Sequence, residues 1–226
     1  MDIERTSQQS TEIPEPGVSF SFGNGWKQLW KYPLELFLIL LIYFVISAPG
    51  SIGSWTGPSV NTYTFWDFFG SVYGLLISGP VAYGMYFAYL KAARGNTPDI
   101  KDMFESFNTY WNAVLANLLS SVIIVIGFAL LIVPGIIFAC KLAFVPFLVV
   151  EYKMDAVTAV KESWHMTNGY AMDVFLIGLL AIPIAIAGII CFGVGIFVSM
   201  MWITLTTASL YHSVSLKYRA SLQKPA

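Results

Sequence analysis

The chain has 226 residues, of which 57% are hydrophobic and 16% aromatic, while only 11% are charged. A soluble domain carries about 25% charged residues, so this surface is too poor in charge to be covered by water and its solvent is largely lipid. The net charge of −1 offers no global attraction to nucleic acid, which is excluded as a partner.

From the N-terminus, residues 1–18 read as a flexible polar tail, with Asp2, Glu4, Glu12 and Glu15 against a single Arg5. A cleavable signal peptide would open on a basic stretch followed by an apolar one, so none is expected. Residues 19–216 form one membrane domain, and 217–226 a short basic tail. GVSFSFGNGWKQLWKYP (Gly17–Pro33) is a candidate interfacial helix ahead of the first span.

A span needs about 20 apolar residues to cross about 30 Å of hydrocarbon. The first two are placed at residues 33–48 and 65–90. The next apolar run, Tyr110 to Val150, would be about 60 Å long as one helix, so it must fold back, and Val133-Pro134-Gly135 is the strongest breaker near its middle. That yields spans at 110–133 and 135–150. The run from Ala171 to Leu210 divides in the same way at the glycine-rich GIICFGVG (Gly188–Gly195), giving spans at 171–188 and 195–212. The fold class is therefore all-α, a polytopic bundle of six transmembrane helices plus interfacial helices.

Charge placement tests this count. Lys27, Lys31, Lys91, Arg94, Lys101, Lys153, Lys161, Lys217, Arg219 and Lys224 all flank one side of the spans, and the opposite loops near 49–64, 133–135 and 188–195 hold no Lys or Arg. Basic residues mark the cytoplasmic side. Both termini are expected in the cytoplasm, with the spans in the cytoplasmic membrane.

The connections on the basic side have helix signals. In TPDIKDMFESFNTYW (Thr97–Trp111), Thr97 is a good N-cap, Pro98 fits the first helical position and Asp99 suits the helix start. In DAVTAVKESWHMTNG (Asp155–Gly169), Asp155 can cap, Val157, Val160 and Trp164 share a face, and Gly169 can terminate. Trp26, Trp30, Phe107, Trp111 and Trp164 are expected to anchor these segments at headgroup depth. ESF (Glu105–Phe107) and ESW (Glu162–Trp164) fall at matching places, which fits a threefold repeat of interfacial helix plus two spans.

Lys141, inside VPGIIFACKLAFVPFLVVEYK (Val133–Lys153), is the intramembrane charge, about 10 Å in from the outer end of its span. Such a charge snorkels, pairs, meets water or serves a function. Asp67, at the outer start of the second span, is the best-placed acidic partner, since Glu35 and Asp173 belong near the inner face. Carbonyls freed by the helix breaks at Pro80, Pro146 and Pro183, with Pro134-Gly135 at the turn, are the alternative partners. Small residues recur at four-residue spacing as Gly74 with Ser78, Gly84 with Ala88, and Cys191, Gly195 and Ser199, a pattern that permits close helix packing. Cys140 and Cys191 lie in apolar runs and read as small hydrophobes.

No nucleophile elbow, zinc-protease helix or phosphate loop is present, His165 and His212 have no carboxylate at a telling spacing, and no cofactor or metal is expected. The turn Pro134-Gly135-Ile136-Ile137, the basic Lys141, the motif Val145-Pro146-Phe147-Leu148-Val149 and the stretch Ala159 to Gly169 resemble a broad family of small polytopic bacterial membrane proteins of unknown function. The pattern is also similar to the membrane region attached to some glycerophosphodiester phosphodiesterases. The resemblance implies six spans and a shared role for the basic residue, and it carries over no catalytic group. The expected function is a non-catalytic scaffold, assembly or accessory subunit that meets lipid and membrane-protein partners. The alternative is a small transporter or channel with a polar site around Lys141, and a lipid-headgroup enzyme comes after both.

Overall fold

The computed structural model describes residues 14–50, 65–190 and 194–222, and no strand occurs among them. Helix α1 (Val18–Lys31) precedes α2 (Pro33–Ser47). Helix α3 (Phe65–Tyr73) runs through a π-helical turn (Gly74–Ser78) into α4 (Gly79–Ala93), and α5 (Ile100–Met103) leads by a 3-10 turn (Glu105–Thr109) into α6 (Tyr110–Leu130). Then come α7 (Ile132–Lys141), α8 (Val145–Tyr152), α9 (Ala156–Met166), α10 (Ala171–Ile190) and α11 (Val194–Leu222). Among the described residues, five helical stretches are long and apolar enough to cross a membrane: Pro33–Gly50, Phe68–Ala93, Ile100–Leu130, Ile132–Tyr152 and Ala171–Ile190.

Burial changes along the helices rather than only around them. Toward one end, α4, α8 and the second half of α11 bury Val81, Tyr89, Leu90, Phe147, Leu148, Leu205, Leu210 and Tyr211 in a protein core. Tyr211 stacks on Phe147 at 4.7 Å between ring centroids, with Phe144 edge-on at 5.4 Å. Toward the other end, α6 and α10 leave Val125, Phe128, Leu130, Leu179, Ile186 and Ile190 exposed. Contiguous apolar exposure of this kind is unstable in water and ordinary in lipid.

Several boundaries correct the sequence reading. The reversal after α6 lies at Leu131, the only extended residue there, and not at Val133 to Gly135. Pro134 falls in the first turn of α7, where its missing N–H costs nothing because first-turn donors have no intrahelical acceptor. Proline here starts a helix instead of filling a loop. Gly135 is required by closeness: a Cβ would stand 2.6 Å from the Phe128 ring, and one on Gly127 2.9 Å from the Gly135 Cα. The expected continuous span at 135–150 is broken by a turn at Leu142 to Phe144, where the Val145 N–H bonds the Leu142 carbonyl at 3.1 Å and Pro146 takes the second position of α8.

The connection before α6 differs too. Asp99, not Thr97, is the N-cap, in a capping box with Asp102, and only a four-residue helix follows. Asp155 caps α9 as expected, accepting from the Thr158 amide at 3.1 Å, and Gly169 turns the chain at φ 89°. The second proposed reversal, Gly188 to Gly195, begins within α10, which runs to Ile190; Cys191 lies outside the described residues. Gly188 meets the Gly195 carbonyl group, and Ser199 Oγ donates to the Ile184 carbonyl at 3.0 Å. Gly84 lies against the Met103 carbonyl, and Ala88 is buried. These small residues serve contacts inside the chain. Gly74 faces open space instead.

Candidate functional site

Lys141 is the last residue of α7, at the broken point of its span. A helix end leaves carbonyls without partners. The Lys141 carbonyl accepts from Ser163 Oγ of α9 at 2.7 Å, and Thr167 Oγ1, which donates to the Ser163 carbonyl at 2.7 Å, stands 3.4 Å from it. Its ammonium bonds Asn168 Oδ1 at 2.5 Å and lies 5.6 Å from the Trp164 ring centre. The stretch SWHMTN (Ser163–Asn168) therefore grips both the main chain and the side chain of one residue. The acidic partner expected for Lys141, Asp67, is in α3, and its side chain lies outside the described residues. The Leu76 carbonyl, which Pro80 cannot bond, accepts from Tyr110 Oη at 2.9 Å and not from Lys141. Pro183 sits inside α10.

Trp26, Trp30, Phe107, Trp111 and Trp164 are all exposed, Trp30 and Trp111 to 65% and 69%. Trp26 also packs on Trp202 of α11 at 4.8 Å, and Trp202 donates to the Phe22 carbonyl at 3.1 Å.

A polar cluster at the core end escaped the sequence reading. Glu151, at 12% side-chain exposure, accepts from Arg94 Nη2 at 2.6 Å, from Tyr152 Oη at 3.0 Å and from Tyr211 Oη at 2.7 Å. Arg219 approaches the same carboxylate at 3.9 Å and stacks over Tyr152 at 4.5 Å. Arg94 Nε donates to His212 Nδ1 at 3.3 Å, which makes the imidazole a neutral acceptor with its proton on Nε2. His212 thus shares an arginine with a carboxylate, a juxtaposition its sequence spacing did not signal. The members come from α4, α8 and α11, with Arg94 and His212 118 positions apart, and no local pattern reports such a distance. The one cue was that Glu151 and Arg94 end apolar runs. The carboxylate is the centre of the cluster: it accepts from one guanidinium and two phenols, and His212 meets the same guanidinium through Nδ1.

Beside it, Lys91 pairs with Asp102 at 2.8 Å, while Lys31 Nζ and Tyr32 Oη both donate to the Gly95 carbonyl. Asn24 Nδ2 reaches the Ala93 carbonyl and Ser209 Oγ, each at 2.9 Å. Helix α1 is thereby tied to the end of α4 and the middle of α11. Among the described residues, no group of three His, Cys, Asp or Glu side chains is placed to hold a metal, and Cys140 is a free, half-buried thiol.

A cavity of about 430 Å³ opens among α4, α6, α7, α8 and α11. Its lining passes Ala139 and Leu142 without including Lys141.

A family model described as a domain of unknown function, DUF7847, matches residues 104–221. That range takes in the Lys141 joint, Glu151 and His212 and leaves Arg94 outside. No curated protein and no solved structure matches the chain.

Proposed function

Since the chain belongs to the DUF7847 family, which carries no assigned activity, we propose from its own surfaces that it is a non-catalytic integral protein of the cytoplasmic membrane, acting as a scaffold or accessory subunit. In this reading α11 is the sixth span, both termini are cytoplasmic, and the segments around α1, α5 and α9 lie at the inner face. The observation that carries it is a contrast. The Glu151 carboxylate is bonded by Arg94, Tyr152 and Tyr211, while Trp30, Phe107, Trp111 and Trp164 on or beside the connecting segments stand exposed. Groups satisfied internally hold shape, and exposed aromatics at a membrane boundary hold headgroups and partners. A threefold repeat is supported at one register: Ser21, Ser106 and Ser163 are each fully buried, and each is followed by an aromatic, Phe22, Phe107 and Trp164.

Transport through a site at Lys141 has less support, because the ammonium meets Asn168 and Trp164 and the bundle's cavity does not reach it. The test is purification in lipid nanodiscs, with crosslinking and mass spectrometry, of the parent chain and of Trp111→Ser and Trp164→Ser. A specific protein or lipid should accompany the parent and be depleted in the variants. A lone monomer with neither sinks the scaffold. Impermeant maleimide that reaches Lys91→Cys or Lys153→Cys from outside intact cells sinks the orientation.

A further inference from the structure

The cavity has features that close packing alone does not require. Its lining carries no charged residue, yet it includes Tyr83, Tyr86, Asn117, Ser120, Ser121, Thr204 and Thr207. Three of these hydroxyls are already committed to their own helices: Ser121 to the Asn117 carbonyl at 2.7 Å, Thr204 to Met200 at 2.8 Å and Thr207 to Ile203 at 3.1 Å. The others are not. Ser120 Oγ is buried with no hydrogen bond of proper geometry, although the Tyr83 hydroxyl neighbours it. The Asn117 amide nitrogen packs over Gly79, where a Cβ would stand 2.6 Å from it, and among the described residues it donates to no protein group. A buried polar group left unmet costs about 1–3 kcal/mol, so a ligand that meets Ser120 Oγ, with the Asn117 amide beside it, has a place prepared. The space also lies within the usual range of small-molecule sites, about 300–1,000 Å³.

The opening identifies the side from which such a ligand comes. Ser121 and Thr204 are exposed at the rim. Leu118 and Val125, three residues before and four after Ser121 and so on its face of α6, are exposed apolar side chains, as is Met200, one turn before Thr204 on α11. The mouth between α6 and α11 is therefore bordered by lipid-facing surface. The walls, Ile124, Ala139, Ala143, Phe147 and Ile203, are apolar. The floor is firm, since Phe147 stacks on the Tyr211 that donates to Glu151.

We propose that this cavity binds the uncharged head of a membrane lipid, one with a free hydroxyl and ester carbonyls such as a diacylglycerol, whose chains leave between α6 and α11. Neutral donors and acceptors suit hydroxyls and carbonyls, and the absence of any cation in the lining disfavours a phosphate. The inference rests on membrane immersion and is independent of the scaffold role.

The test uses the full chain in phosphatidylcholine vesicles with a diacylglycerol bearing a photoactivatable group near the glycerol. Phosphatidylglycerol carrying the same group is the comparator, and free glycerol and unlabelled diacylglycerol are competitors. Diacylglycerol should crosslink to peptides within 117–124 and 139–147. Ala143→Phe, which fills the cavity, should cut that yield by about tenfold or more without changing phosphatidylglycerol labelling of α6 and α10. Where Ala143→Phe fails to fold, Ser120→Ala, which removes the unmet hydroxyl and adds no bulk, should still lower the yield while the melting temperature holds. Equal labelling by the two lipids overturns the proposal, as does a yield that neither substitution changes. Loss of the crosslink to free glycerol as readily as to unlabelled diacylglycerol overturns it in favour of a soluble polyol. Absence of labelling by both probes strikes instead at membrane immersion, on which every reading here depends.

Discussion

At the scale of single residues, Lys141 matters through its main chain at least as much as through its charge. Its carbonyl has lost the helical partner and is served by Ser163, whose own carbonyl accepts from Thr167, whereas the ammonium has one amide and one ring. An exposed cation–ring contact is worth about 0.5–1 kcal/mol, and a buried carbonyl without a donor costs about 1–3 kcal/mol. Ser163→Ala combined with Thr167→Val should therefore lower the thermal stability in detergent more than Lys141→Met does. The reverse order would make the charge the working part. Asp155 gives a pH dependence. Hydrogen bonds from Thr158, its hydroxyl foremost and then its amide, hold the Asp155 carboxyl below the usual carboxylate range. A lowered value means the cap's contribution is complete above the ordinary carboxylate value and is lost as pH falls through the folded-state value. Asparagine caps about as well as aspartate and does not titrate. Asp155→Asn should match the parent at neutral pH and melt above it on acidification below about pH 4, as followed by circular dichroism.

At the scale of elements, close approach is confined to certain glycines, and substitution separates them. A Cβ on Gly84 would collide with the Met103 carbonyl, which is main chain and cannot swing aside, whereas Gly74 in the π-helical turn has no atom within 4 Å of that position. Gly84→Ala should cost about 1–3 kcal/mol through overpacking. Gly74→Ala should be neutral or gain up to about 1 kcal/mol from reduced freedom of the unfolded chain. Melting of the two variants side by side checks the pair, and equal losses would remove the distinction. This contrast also marks what the sequence could tell. Apolar runs of span length located the five long helices, because hydrocarbon thickness sets their size directly. The caps at Asp155 and Gly169 were legible because capping is local chemistry. Pro134 misled because proline suits a turn and a first helical turn equally, and only the packing of Phe128 on Gly135 decides between them. Lys141 was visible as an oddity, but its partners on α9 were not, since the break at Leu142 that frees its carbonyl depends on how α8 docks.

At the scale of the whole molecule, the Glu151 cluster joins three helices that the sequence separates widely. The Arg94 pair spans 57 positions and the Tyr211 bond 60, so α4, α8 and α11 meet at one carboxylate. Helices in lipid gain little from apolar contact, because the surrounding chains are equally apolar, and polar contacts then help to fix which surfaces meet. Glu151 and Arg94 are 12% and 27% exposed, so neither is fully hydrated when left alone. Removing one partner of such a pair costs about 3–5 kcal/mol, with Glu151→Ala also stripping the acceptor from Tyr211. Arg94→Ala should fall near the lower end, because Arg219 stands 3.9 Å from the same carboxylate and can close on it. Once either partner is gone, removing the second relieves an unpaired charge, so the double variant should lose less stability than the sum of the two single losses. Additive losses in thermal melts of the four proteins in one detergent would show that the two charges act separately. The Phe144, Phe147 and Tyr211 stack would then contribute more to holding the three helix ends than the ion pair does.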